Sequence, residues 1–193
     1  RDSSTSRGLG DVYKRQFSHI VLRSVLDKYQ YLSKHDRAFM TRLVDGTIEY
    51  MLQLDYIIDS FSKTKVRKMK PFIRNLLRMS VYQIKYMDAV PDSAVCNEAV
   101  KLAKRHKFAQ LSGFVNGVLR NIARNIDSVQ FDTLSIRYSM PQWIVDRFVS
   151  AYGEKKAEEI FKAFHSKSTI SIRTNLTRCT PAVSYTHLRA QET

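Results

Sequence analysis

From Phe17 to Ile122 the apolar residues return every three or four positions and almost never alternate. That period belongs to amphipathic helices, each with one stripe to bury against its neighbours. Ile20, Val21, Val25 and Leu26 mark a helix over Phe17 to Gln30. Ser33-Lys34-His35-Asp36 has the form of a capping box and opens the next. A long run follows, with Phe39, Leu43, Val44, Thr47, Ile48, Met51 and Leu52, then Leu54, Ile57, Ile58 and Phe61. Its length predicts two helices with a bend near Gln53. Pro71 stands where a helix starts, because a first-turn amide has no partner to lose. Pro91 and Asp92 open another helix, with Val95, Ala99, Leu102 and Ala103 on its apolar side. One more runs from about Ala109 to Arg124. Helices joined this closely, without strands among them, predict an all-α bundle over residues 17–125.

The pattern changes after Asn125. Pro141, Trp143, Ile144, Phe148 and Val149 suggest a helix ending at Gly153, with Trp143 packed under a neighbouring helix. Lys155 to Phe164 reads as another helix. Thr169 to Asn175 alternates β-branched and polar residues and is the one good strand signal. A linker and the truncated start of a second, small α+β unit are therefore expected over residues 126–182, beginning near Asp127. Residues 1–16 and 183–193 are polar and without usable period. They resemble peptides translated from sequencing-adapter DNA, and neither is expected to belong to the fold.

Charge carries the functional signal. The formal net charge is +14, which suggests a polyanionic partner. It is also clustered. Ser60 to Met87 holds no acid and carries +8; Ala99 to Ile126 holds none and carries +6. The two windows account for the whole net charge, a pattern that points to a phosphate-binding face. The first contains the connector Lys65, Arg67, Lys68 and Lys70; the second contains Lys101, Lys104, Arg105, Arg120 and Arg124. These nine are the candidate RNA contacts. Lys101, Lys104 and Arg105 fall on the helix arc opposite the apolar side. Tyr82, spaced with Val81 and Ile84, reads as core and not as a base-stacking ring.

Other chemistries find little support. There is no glycine-rich phosphate loop, and Gly113 and Gly117 within a helix suggest close helix packing. The five histidines are scattered and none is spaced for a metal with Cys or Glu. Cys96 and Cys179 offer neither a disulfide framework nor a metal pair, which fits a reducing compartment. No apolar run reaches the ~18 residues of a membrane span. No catalytic residue, cofactor site or metal site is assigned.

Several segments, in order, resemble the NusB RNA-binding domain: Asp36-Arg37-Ala38-Phe39, Leu43 to Thr47, Leu76-Leu77-Arg78, Tyr82-Gln83, Val90-Pro91, Asn97 to Val100, Ala103-Lys104 and Gly113 to Arg120. Further on, Tyr138 to Trp143, Ala151-Tyr152-Gly153 and Ile172-Arg173-Thr174-Asn175 are similar to the linker and small RNA-binding subdomain of the RsmB (Sun) family of ribosomal RNA cytosine-5 methyltransferases. The resemblance implies a NusB-like bundle whose first helix would precede residue 17 and is expected to be missing here, the adapter-like tail standing in its place. It implies that the chain is the amino-terminal part of a cytoplasmic enzyme that binds small-subunit (16S) ribosomal RNA. A following methyltransferase domain would use S-adenosylmethionine and two cysteines that neither Cys96 nor Cys179 matches. This part alone is not expected to be catalytic. The alternative is a NusB-type transcription antitermination factor, an RNA-binding protein without enzymatic activity, which should lack Tyr138 to Asn175.

Overall fold

The computed structural model describes residues 18–166, 173–183 and 185–186. The tail 1–16 lies outside the described residues, as do most of 183–193 and Thr169 to Ile172 of the expected strand. The described residues contain no strand, and Arg173 to Asn175 have no regular structure. The chain is all-α.

Six helices build the bundle: α1 (Ser18–Lys28), α2 (Lys34–Glu49), α3 (Met51–Phe61), α4 (Pro71–Tyr86), α5 (Asp92–Arg105) and α6 (Ser112–Asn125). Ser33 caps α2, its Oγ accepting the Asp36 N–H at 3.0 Å and donating to Asp36 Oδ2 at 2.7 Å. Pro71 begins α4, and no side chain caps that end. Helix α4 is central and packs against α2, α3, α5 and α6. Ile57, Leu77, Val81, Val115 and Leu119 are completely buried there. Truncating one such residue to alanine costs about 2–5 kcal/mol. Where α2 crosses α4, Gly46 is buried and a Cβ on it would overlap the Tyr82 ring. Tyr82 is therefore core, as its spacing predicts.

The break between α2 and α3 falls at Tyr50, three residues before the predicted bend at Gln53. A tertiary contact sets it. The Tyr50 ring stacks among Tyr86 (centroids 4.4 Å apart), His165 (5.0 Å) and Tyr82 (6.2 Å).

Past the bundle, α7 (Leu134–Arg137), α8 (Gln142–Tyr152) and α9 (Glu154–Phe164) gather around Val145, Ala157 and Phe161. Gly153, at φ 78°, makes the turn between α8 and α9. Trp143, expected to pack beneath a neighbouring helix, does not do so. It stays 67% exposed, because α8 turns its Val145 and Phe148 side to α9 and Trp143 projects oppositely.

This second cluster is fastened to the bundle at the break. The start of α3 has amides without helical partners, and Ser139 Oγ accepts one, from Leu52, at 3.1 Å. Ser139 reaches it from a left-handed backbone, φ 48°. Buried Gln53 donates to the carbonyls of Arg137 (2.9 Å) and Ile136 (3.4 Å) and accepts from Tyr86 Oη. His165 bridges the Tyr50 hydroxyl at 3.1 Å and the Tyr138 carbonyl at 2.9 Å, with Glu49 at 3.2 Å.

Leu102, expected on the buried side of α5, is 36% exposed. It borders an open groove of about 340 Å3 between α2, α4 and α5, with Phe39, Leu43, Leu76 and Met79.

Candidate nucleic-acid interface

The connector between α3 and α4 presents its cations through an alternation of anchors. Val66 and Met69 are buried, so Lys65, Arg67, Lys68 and Lys70 point to solvent. The turn is held from inside. Asp59 Oδ1 accepts the Val66 N–H at 2.7 Å, and Ser62 Oγ pairs with the backbone of Thr64. Lys65 leans back on Asp59, with Nζ 3.3 Å from its carbonyl and 4.0 Å from its carboxylate.

Lys101, Lys104 and Arg105 are exposed on α5, as their arc predicts. Lys101 is paired with Glu98 at 2.7 Å, an exposed contact worth little to stability that still spends the charge locally. Arg120 and Arg124, exposed on α6, line a pocket of about 240 Å3 with Ser93 and Asn97. Asp92 in that pocket offsets part of their charge.

The nine residues do not meet at one point. Phe72, at the start of α4, stacks on His106 (4.6 Å) and Phe108 (5.3 Å) after α5. This brings the connector cations beside Lys104, Arg105 and Lys107 at one end of the α5–α6 hairpin. Arg120 and Arg124 lie at the opposite end, beside the first turn of α5. The 14 residues of α5 make the separation about 20 Å, a span for several phosphates of one strand.

Two other window residues are committed elsewhere. Arg78 closes bidentately on Asp55 at 2.6 and 2.5 Å. Lys85 is half-buried, its Nζ 5.2 Å from the Phe131 ring centroid, and burial lowers its pKa. Neither is a free phosphate contact. Window counting missed this because Asp55 and Phe131 lie far away in sequence. The reading of Gly113 and Gly117 as a close-packing pair is corrected: both are exposed, and a Cβ on either would meet nothing within 4 Å. They share the face of Arg120 and Arg124.

No cluster of His, Cys, Asp or Glu among the described residues is arranged for a metal ion. No helix among them is long and apolar enough to cross a membrane. Cys96 is buried in α5, and desolvation raises its thiol pKa, the reverse of an activated nucleophile.

Comparison with known proteins adds two matches. The sequence profile of the NusB family fits residues 5–124. That of the RsmF/B-like methyltransferase ferredoxin-like domain fits residues 140–193. A probable ribosomal RNA small subunit methyltransferase B of Bacillus subtilis is 38% identical over 150 residues, covering 75% of this chain and 33% of that protein. Its counterpart from Synechocystis is 31% identical over 174 residues, 86% of this chain and 39% of its own length. The transcription antitermination protein NusB of Dictyoglomus thermophilum is 39% identical over 99 residues, 51% of this chain and 69% of its own. The chain thus spans between a third and two fifths of the methyltransferase relatives.

Proposed function

Because the chain belongs to the NusB family, we propose that it is the RNA-docking amino-terminal part of an S-adenosylmethionine-dependent 16S rRNA cytosine-5 methyltransferase acting in the cytoplasm. The observation that carries this reading is the continuation beyond the bundle. Residues 134–164 form a second helical cluster fastened to α3. The match to the RsmF/B-like domain begins there, at residue 140. Similarity to an antitermination protein covers about half of the chain, whereas similarity to the methyltransferases covers 75–86% of it.

On this reading the chain docks small-subunit ribosomal RNA electrostatically. Lys65, Arg67, Lys68, Lys70, Lys101, Lys104, Arg105, Arg120 and Arg124 neutralise phosphates and release counterions. Such contacts set position and orientation and do not read bases. The hydrogen bonds of Gln53, Ser139 and His165 then hold the second cluster in register with the docked strand. The methyl donor would supply an electrophilic methyl group in a domain following this one. Buried Cys96 does not fit the two-cysteine chemistry of such enzymes, and no catalytic step is assigned to this chain.

Sequencing the source gene past the Ala182 codon tests the reading. A glycine-rich strand-loop-helix followed by two cysteine motifs is the expected result. A stop codon shortly after would overturn it in favour of an antitermination factor.

A further inference from the structure

One cation in the basic windows differs from all the others. Arg74 lies on α4, one turn after Lys70 and one turn before Arg78. It is partly buried, and its Nε is sealed from solvent without a hydrogen-bond partner. Among the described residues its side chain makes no hydrogen bond or ion pair. Helix α4 carries no acid. The two acids of α3 are already engaged. Asp55 gives both oxygens to Arg78, and Asp59 holds the Val66 N–H with Lys65 nearby.

A buried charged donor left unpaired is destabilising. The two Nη groups of Arg74 are not sealed with its Nε, and with no carboxylate engaging them they remain open to an anion from outside the chain. The surroundings specify its charge. Lys70 is exposed on the same face one turn earlier, and Arg67 and Lys68 precede it. The end of α4 is uncapped by any side chain and contributes the positive pole of the helix. Guanidinium presents a planar fork of donors that matches two oxygens of a phosphate. The partly buried stem of Arg74 also loses less freedom on binding than an exposed lysine would.

We propose that Arg74 is the anchoring RNA contact of the connector patch, gripping one backbone phosphate while Lys70, Lys68 and Arg67 neutralise its neighbours. This rests on the RNA-docking reading above and adds a residue that charge clustering did not single out.

The test uses the full 193-residue chain and a fluorescently labelled, mixed-sequence single-stranded RNA, with anisotropy read across a salt series and melting followed in parallel. Arg74→Met is expected to weaken binding about tenfold, the worth of one charge-assisted hydrogen bond. It should reduce the salt slope by about 0.7 and leave the melting temperature unchanged or raised, since an orphaned donor is removed. Arg74→Lys should restore the slope without restoring full affinity. Unchanged RNA affinity in Arg74→Met overturns the assignment. So does weaker binding accompanied by a lowered melting temperature, which would mark a structural role. Lys104→Gln/Arg105→Gln separates the levels. If it weakens binding while Arg74→Met does not, only the Arg74 assignment fails. If the wild-type chain binds without salt dependence, the RNA-docking reading fails with it.

Discussion

Salt dependence measures how many phosphates the chain engages, and the structure sets the number. Of the cations near the connector, Lys65 is drawn to Asp59, and Lys101 is held by Glu98. Lys63, Arg67, Lys68, Lys70, Arg74, Lys104, Arg105 and Lys107 remain without a carboxylate partner among the described residues at the end of the bundle organised by Phe72, and six of these are assigned as contacts: Arg67, Lys68, Lys70, Arg74, Lys104 and Arg105. With a single strand too short to reach Arg120 and Arg124, about 20 Å away, one phosphate for each of these six gives a plot of log affinity against log salt with a slope of about −4. Raising salt from about 50 to about 200 mM then weakens binding by a few hundredfold. Replacing Lys104 and Arg105 by glutamine should bring the slope to about −3. Both side chains are exposed on α5, and glutamine matches their helix propensity, so stability should move by no more than about 0.5 kcal/mol. Fluorescence anisotropy at several salt concentrations, with circular dichroism as the folding control, reads both quantities. An unchanged slope in a folded double variant would refute the placement of the RNA at this end.

Three further outcomes follow from packing and titration. Gln53→Leu keeps the volume but leaves the Arg137 carbonyl and the Tyr86 hydroxyl unpaired in a buried site, so urea denaturation should show a loss of about 2–4 kcal/mol; a loss under about 1 kcal/mol would mean that the seam contributes little. Gly46→Ala and Gly117→Ala should have opposite signs in thermal melts. The first collides with Tyr82 and should cost about 1–3 kcal/mol, whereas the second fills open space on a helix and should gain about 0.5–1 kcal/mol. Burial raises the pKa values of the Cys96 thiol and of the Tyr50 and Tyr86 hydroxyls. The unfolded chain therefore releases these protons first. Stability should hold below about pH 8.5 and fall as pH climbs beyond the unfolded values of about 8.5 and 10, and a flat stability curve through that range would contradict the burial of these groups.

What could be read in advance was what neighbouring residues decide among themselves. Ser33 with Asp36, Pro71 and Gly153 mark element ends through their own side chains and backbone preferences, and each stands where its local chemistry places it. The departures arise where a distant residue settles the matter. The bend moved to Tyr50 because Tyr86 and His165 stack there and Ser139, 87 residues away from Leu52, supplies the cap. Trp143 is exposed because α8 spends its other face on α9. The candidate interface divides in the same way. Acid-free windows are visible in the chain, and they correctly locate an excess of positive charge. They cannot show which charge is free, because neutralisation is a tertiary event: Asp55 reaches Arg78 from another helix, and Phe131 shelters Lys85 from beyond the bundle. Arg74 is the reverse case, ordinary in the sequence and conspicuous only once both acids of α3 are seen to be taken. A phosphate-binding face is therefore better defined by the cations that folding leaves unsatisfied than by the number the chain supplies.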